Sequence, residues 1–134
     1  MGADIRRRGY QQVYAYGPSF GGVILLNAAA AGLKLDKLVI DSVPAELHEY
    51  DCDNSIAPSA VFGPSCPGIV GFVSDRDQEV PPKDQQALLS RLQAQSCGGH
   101  VVHLHLAAHA PNDKPGTPGE VERTAKLAAE FGQE

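Results

Sequence analysis

Short apolar runs alternating with helix-like segments constrain this chain more than any other feature, because that rhythm builds a sheet covered by helices. Strands are expected at Gln12-Val13-Tyr14-Ala15-Tyr16, Lys37-Leu38-Val39-Ile40-Asp41, Ile69-Val70-Gly71-Phe72-Val73 and Val101-Val102-His103-Leu104-His105-Leu106. Each is short, apolar and β-branched, as strands buried on both faces are. Phe20 to Ala31 reads as a helix rich in Ala and Leu, ended by Gly32. Asp84 to Gln95 reads as a second, with Ala87, Leu88 and Leu92 on one face, and Glu120 to Phe131 as a third, ended by Gly132. Val121, Ala125, Leu127 and Ala128 give that third helix an apolar stripe. The expected fold class is α/β: a mostly parallel sheet of about four strands flanked by helices and joined by right-handed crossovers.

Size and composition fit this architecture in a single domain. A chain of 134 residues buries enough surface to be stable without disulfides or a structural metal. Its 43% hydrophobic and 20% charged residues describe an ordinary globular protein. The net charge of −5 argues against nucleic acid or anionic membrane as partner, and Arg6-Arg7-Arg8 is too short a basic run to reverse that. Cys52, Cys66 and Cys97 are an odd number without a CxxC pair, which fits a reducing compartment. No apolar stretch has the length of a signal-peptide core at the N-terminus or of a bilayer span. Met1-Gly2 lacks the Ser or Thr that myristoylation expects, since position 6 is Arg6. The expectation is a soluble cytoplasmic protein. Residues 45–67, with Pro58, Pro64, Pro67 and the polar run Asp51-Cys52-Asp53-Asn54-Ser55, read as a long loop over the sheet.

Gly17-Pro18-Ser19-Phe20-Gly21-Gly22 follows the first strand, opens the first helix and matches G-x-S-x-G. A serine on so sharp a strand-to-helix turn needs small residues on both sides, a requirement that Gly17 and Gly21 are expected to meet. The helix N-terminus beneath it offers unpaired N–H groups and a partial positive charge where an oxyanion would develop, with the Phe20 N–H as one donor. By chance the bare pattern would arise in roughly one in twenty chains of this length, so its placement between strand and helix is what gives it meaning.

From Gln12 to His109 the sequence resembles the C-terminal half of an α/β-hydrolase, a family whose triad runs in the order Ser, acid, His. After the third strand, Val73-Ser74-Asp75-Arg76-Asp77-Gln78-Glu79-Val80-Pro81 is similar to the segment in which the acid precedes a Val-Pro pair. That selects Asp77, with Asp75 as the alternative, because Ser74 stands where the family often has Gly. After the fourth strand, Leu106-Ala107-Ala108-His109-Ala110-Pro111 is similar to the small-residue loop that delivers the histidine. His103 and His105 fall within the strand and are expected to be committed to the layers on either side of it. The resemblance implies a serine hydrolase with Ser19 as nucleophile, His109 as base and Asp77 as the orienting acid. It would act on a small-molecule acyl substrate without any cofactor. A rival arrangement, a metal held by His100, His103, His105 and His109 with Cys97 and Asp113 nearby, lacks a third ligand at a suitable spacing.

The resemblance also implies further strands before the first one, and one oxyanion donor is expected from them. Only Met1 to Gly9 precedes the elbow strand here, so the chain is expected to be a fragment or a minimal form. Strand 12–16 would then be an exposed edge, and self-association through it is expected. A non-catalytic binding or dimerisation module on the same fold is the alternative function.

Overall fold

A computed structural model describes residues 9, 12–47, 68–95, 98–110 and 113–132. Arg6-Arg7-Arg8, residues 48–67 and the three cysteines lie outside those residues. The elements run β1 (Tyr14–Pro18), α1 (Phe20–Ala30), β2 (Lys37–Asp41), β3 (Ile69–Ser74), α2 (Pro82–Ala94), β4 (Gly98–Leu104) and α3 (Pro118–Phe131). The strands form one sheet in the order β1-β2-β3-β4, every neighbouring pair parallel. This is the α/β architecture that the alternation predicts.

Helix punctuation follows the sequence closely. At the end of α1, the Leu33 N–H donates to the Ala28 carbonyl at 2.9 Å and the Gly32 N–H to that of Ala29 at 3.1 Å. Gly32 takes φ 115°, a left-handed turn that costs glycine little. α2 and α3 each begin two residues before the expected start, because Pro82 and Pro118 fit the first helical turn, where no backbone N–H is needed. β1 runs two residues later than expected, its ladder with β2 continuing to Pro18 opposite Asp41. β4 begins three residues earlier than expected and ends at Leu104, leaving His105 and Leu106 outside the strand.

Side-chain alternation along the strands feeds two apolar layers. Leu38, Ile40, Ile69 and Val73 face Val23 and Leu26 of α1 and Leu88, Leu89 and Leu92 of α2. On the opposite face Val39, Val70, Phe72 and Leu104 meet Leu127 and Phe131 of α3. Gly71 sets the approach of α2, since a Cβ there would lie 2.1 Å from a Leu89 methyl. Of the expected stripe of α3 only Leu127 packs on the sheet: Val121, Ala125 and Ala128 are exposed, and the buried positions are Gly119, Arg123 and Glu130.

Candidate active site

All four strands present their carboxyl ends at one edge of the sheet, the edge where parallel α/β proteins place their ligands. Ser19 sits there between β1 and α1 with φ 52° and ψ −127°, a backbone that an L-residue adopts at a cost of about 1–3 kcal/mol. The Ser19 N–H extends the β1–β2 ladder by donating to the Asp41 carbonyl at 2.7 Å. A Cβ on Gly17 would lie 2.6 Å from the Gly22 Cα, and one on Gly22 2.3 Å from a Val43 methyl, whereas one on Gly21 would meet Pro18 Cδ at 3.4 Å. The close approach of strand and helix therefore rests on Gly17 and Gly22; the expectation for Gly21 is corrected. Phe20 is the first residue of α1, so its N–H is among those a helix leaves without an internal partner.

Asp77 follows β3 in a turn closed by its own N–H on the Ser74 carbonyl at 3.2 Å. Its side chain is fully enclosed. Oδ1 accepts the backbone N–H groups of Glu79 and Val80, each at 2.8 Å, and Oδ2 accepts Nε2 of Gln85 at 2.9 Å. Gln85 is itself held, donating to the Val80 carbonyl at 2.8 Å and accepting the Ser74 N–H at 2.9 Å. The sequence reading missed Gln85, although its polar side chain interrupts the stripe of Leu88, Leu89 and Leu92 at helical spacing and so gave a signal.

His109 lies beyond β4 in a loop whose flanking Ala107 and Ala110 are fully buried. Its Nδ1 is 2.6 Å from Asp77 Oδ2 and its Nε2 is 2.7 Å from Ser19 Oγ. A carboxylate only accepts, so the Nδ1–Asp77 bond selects the tautomer with its proton on Nδ1, the one whose Nε2 lone pair faces the serine hydroxyl. Ser19, His109 and Asp77 thus form one hydrogen-bonded chain. Glu79 Oε2 is 3.4 Å from the same Nε2, and a cleft of about 400 Å³ opens beside it, lined by Arg76, Gln78, Glu79, Ala108 and His109.

The alternative acid is elsewhere. Asp75 is bound by Nδ1 of His103 at 3.1 Å and of His105 at 2.7 Å. Burial raises its pKa, but the hydrogen bonds and charges of the two histidines outweigh that and hold its carboxyl below the usual carboxylate range. These histidines are not in the flanking layers as expected: among the described strands β4 lies at an edge, and their rings stand exposed and stacked with centroids 6.1 Å apart. His100 pairs instead with Glu130 at 2.6 Å. His103 and His105 share Asp75 while His100 and His109 have partners elsewhere, and among the described residues no group of three or more His, Cys, Asp or Glu side chains could hold a metal ion. Nor is any described helix long and apolar enough to cross a membrane.

No protein-family model matches the chain, and no curated sequence does. Solved structures do match in fold. A thermophilic esterase from the Planctomycetes species Thermogutta terrifontis superposes with TM-score 0.67 at 16% identity, over 88% of this chain and 53% of its own. An acylaminoacyl peptidase in complex with Z-Gly-Gly-Phe-chloromethyl ketone gives TM-score 0.70 at 14% identity, over 90% and 23%. A truncated carbohydrate esterase from gut microbiota gives TM-score 0.62 at 13% identity, over 90% and 60%. The chain spans less than two thirds of the length of each. At these identities the likeness is one of fold: a parallel α/β sheet flanked by helices that these solved structures share with this chain.

Proposed function

We propose that this protein is a serine hydrolase of the α/β-hydrolase family that cleaves an ester, thioester or related acyl bond through an acyl-enzyme on Ser19. The observation that carries this reading is the hydrogen-bonded chain from Ser19 Oγ to His109 Nε2 and from His109 Nδ1 to Asp77. A merely structural loop would have no need to hold a strained serine against an oriented imidazole.

In the first half-reaction, Ser19 Oγ bonds to the substrate carbonyl carbon as its proton passes to His109 Nε2. Asp77 keeps the ring in the required tautomer and stabilises the imidazolium. The Phe20 N–H, at the positive end of α1, donates to the carbonyl oxygen as it becomes an oxyanion. His109 then returns the proton to the leaving oxygen or sulfur as the bond from it to the carbonyl carbon breaks. Water completes the cycle: its oxygen bonds to the acyl carbon, its proton goes to Nε2 and on to Ser19 Oγ as the acyl–Oγ bond breaks, and the carboxylic acid departs. No cofactor takes part. The T. terrifontis esterase has been solved with propionate and with butyrate bound, which makes p-nitrophenyl propionate and butyrate the first substrates to assay.

The direct test is a fluorophosphonate probe with mass-spectrometric location of the adduct. Labelling at Ser19 that Ser19→Ala removes, and that His109→Ala slows by about 10³-fold or more, is the expected result. Folded protein that stays unlabelled would overturn the reading and leave a non-catalytic binding or dimerisation module on the hydrolase fold.

A further inference from the structure

The hydrolytic mechanism leaves one buried polar network without a task. Asp41, at the end of β2, and Arg123, on α3, are both buried. Arg123 Nε donates to Asp41 Oδ2 at 2.7 Å, and Nη1 pairs with Asp113. Nη2 donates to Ser74 Oγ at 2.6 Å and to the Ala108 carbonyl at 2.7 Å. Tyr16 Oη also donates to Asp41 Oδ2, at 2.6 Å. Ser42 is fully buried at φ 60°, a second strained serine one strand along from Ser19. Its hydroxyl donates to Asp41 Oδ1 at 3.0 Å, and its Oγ accepts the Ala110 N–H at 3.2 Å.

These contacts converge on one short segment. Residues on both sides of His109 are tied to the network: the Ala108 carbonyl by Arg123, the Ala108 N–H by Asp113 Oδ1 at 2.9 Å, and the Ala110 N–H by Ser42. The same network touches the other two members of the relay. Asp41 accepts the Ser19 N–H through its backbone carbonyl, and the Ser74 N–H reaches Asp77 through Gln85. Stability is a poor explanation for two carboxylates and a guanidinium in a core, because apolar residues of equal volume are often as stable or more so. Directional bonds to the backbone around one histidine give the network a geometric task instead.

We propose that Arg123 is a positioning residue: anchored on Asp41 and Asp113, its guanidinium holds the Ala108 carbonyl directly, and Asp41 in turn holds the Ser42 hydroxyl that accepts the Ala110 N–H, so that the loop carries His109 Nε2 to Ser19 Oγ. This role rests on the hydrolase reading above. It requires the planar fork of arginine, since Asp41, Asp113, Ser74 and the Ala108 carbonyl are met by three different nitrogens, whereas an ammonium offers three donors from a single point.

The test uses the 134-residue chain with Arg123→Met, Arg123→Lys and Ser42→Ala, each checked for folding by circular dichroism. Two readouts are compared: the rate of fluorophosphonate labelling at Ser19, and the downfield proton resonance of the short His109 Nδ1–H to Asp77 bond. Both Arg123 variants are expected to label about 100-fold more slowly, the scale of loss that follows a displacement of about 1 Å, and to lose or shift the His109 resonance. Ser42→Ala, the milder change that serves if Arg123→Met does not fold, is expected to lose about 10-fold and to shift the resonance. Folded variants that label at the wild-type rate, or that slow while the resonance stays in place, overturn the proposal. Rescue by Arg123→Lys overturns the need for the fork. A wild-type chain that never labels overturns the hydrolase reading, and the resonance then still decides whether Arg123 positions the ring.

Discussion

The residues around Ser19 divide sharply by what a single methyl group would meet. Gly17→Ala places a Cβ against the Gly22 backbone, which cannot move aside, so a loss of about 3 kcal/mol or failure to fold is expected. Gly22→Ala meets a Val43 methyl at 2.3 Å and the Gly17 carbonyl oxygen at 2.9 Å, so Val43→Ala in the same chain should recover only part of its loss of about 2 kcal/mol. Gly21→Ala has room and should be neutral or stabilising by about 0.5 kcal/mol. Urea denaturation of the four variants checks all of this, and a Gly21→Ala chain as damaged as Gly17→Ala would contradict it. The sequence made the elbow legible because serine, strand and helix are local features. It did not separate Gly21 from Gly22, because the nearest neighbour that crowds Gly22 is Val43, which follows the next strand. The acid is a second such distinction. Asp77→Asn should slow acylation by about 10³-fold, whereas Asp75→Asn, which loosens only His103 and His105, should leave it within about 2-fold. Comparable losses in both would reopen the assignment. Tyr16 is the third case: burial, then the Asp41 charge and hydrogen bond, push its pKa far above the ordinary tyrosine value of about 10. A folded-state pKa raised above the unfolded one contributes stability that is fully present below pH about 10 and lost as pH rises beyond it. Tyr16→Phe should therefore flatten the alkaline decline in melting temperature, and an unchanged decline would place its cause elsewhere.

At the scale of elements, β2 and the helices fell close to where the periodicities put them, with errors at the ends. The expected starts at Asp84 and Glu120 fell two residues late, because Pro82 and Pro118 are the first helical residues. The larger misreading was the face of α3. Val121, Ala125 and Ala128 share an apolar side, yet that side is exposed, and the helix is instead seated by Gly119, Arg123 and Glu130, with Leu127 and Phe131 beside them. Pattern counting rewards apolar residues and gives no weight to an arginine whose partners, Asp41, Ser74, Ala108 and Asp113, come from distant parts of the chain. Glu130 is likewise held, by His100 Nε2 at 2.6 Å. Substitution should expose the difference. Val121→Lys should change stability by less than about 0.5 kcal/mol, as exposed positions do. Gly119→Ala, which would bring a Cβ to 2.6 Å from the Leu106 carbonyl oxygen, should cost about 2 kcal/mol and lift α3 from the sheet. Thermal unfolding of the pair decides it, and the opposite ranking would restore the apolar stripe as the docking face.

For the molecule as a whole, the informative feature is what the sheet leaves open. Among the described strands β1 pairs with β2 alone, so one side of its backbone forms an edge of the sheet. Beside it, α1 carries one polar side chain, Asn27, whose amide turns back onto the Val23 carbonyl at 2.9 Å. A helix apolar on all sides is ordinarily enclosed on all sides, yet Phe20 is 46% and Ile24 58% exposed. Edge and helix together form a surface of the kind that draws chains together, since pairing satisfies the strand and covers the apolar face in one step. The alternating pattern of the sequence foretold the strand, but the exposure of Ile24 could not be read there, because an apolar helix looks the same whether or not anything covers it. Self-association at micromolar concentration is therefore expected by light scattering. Ile24→Glu puts a charge at the centre of the exposed face without touching the packed core, so it should shift the chain toward monomer and leave Ser19 labelling within about 2-fold. A wild-type chain that scatters as a clean monomer would remove the idea. A variant that associates as strongly as wild type would place the contact on the β1 edge, with α1 taking no part.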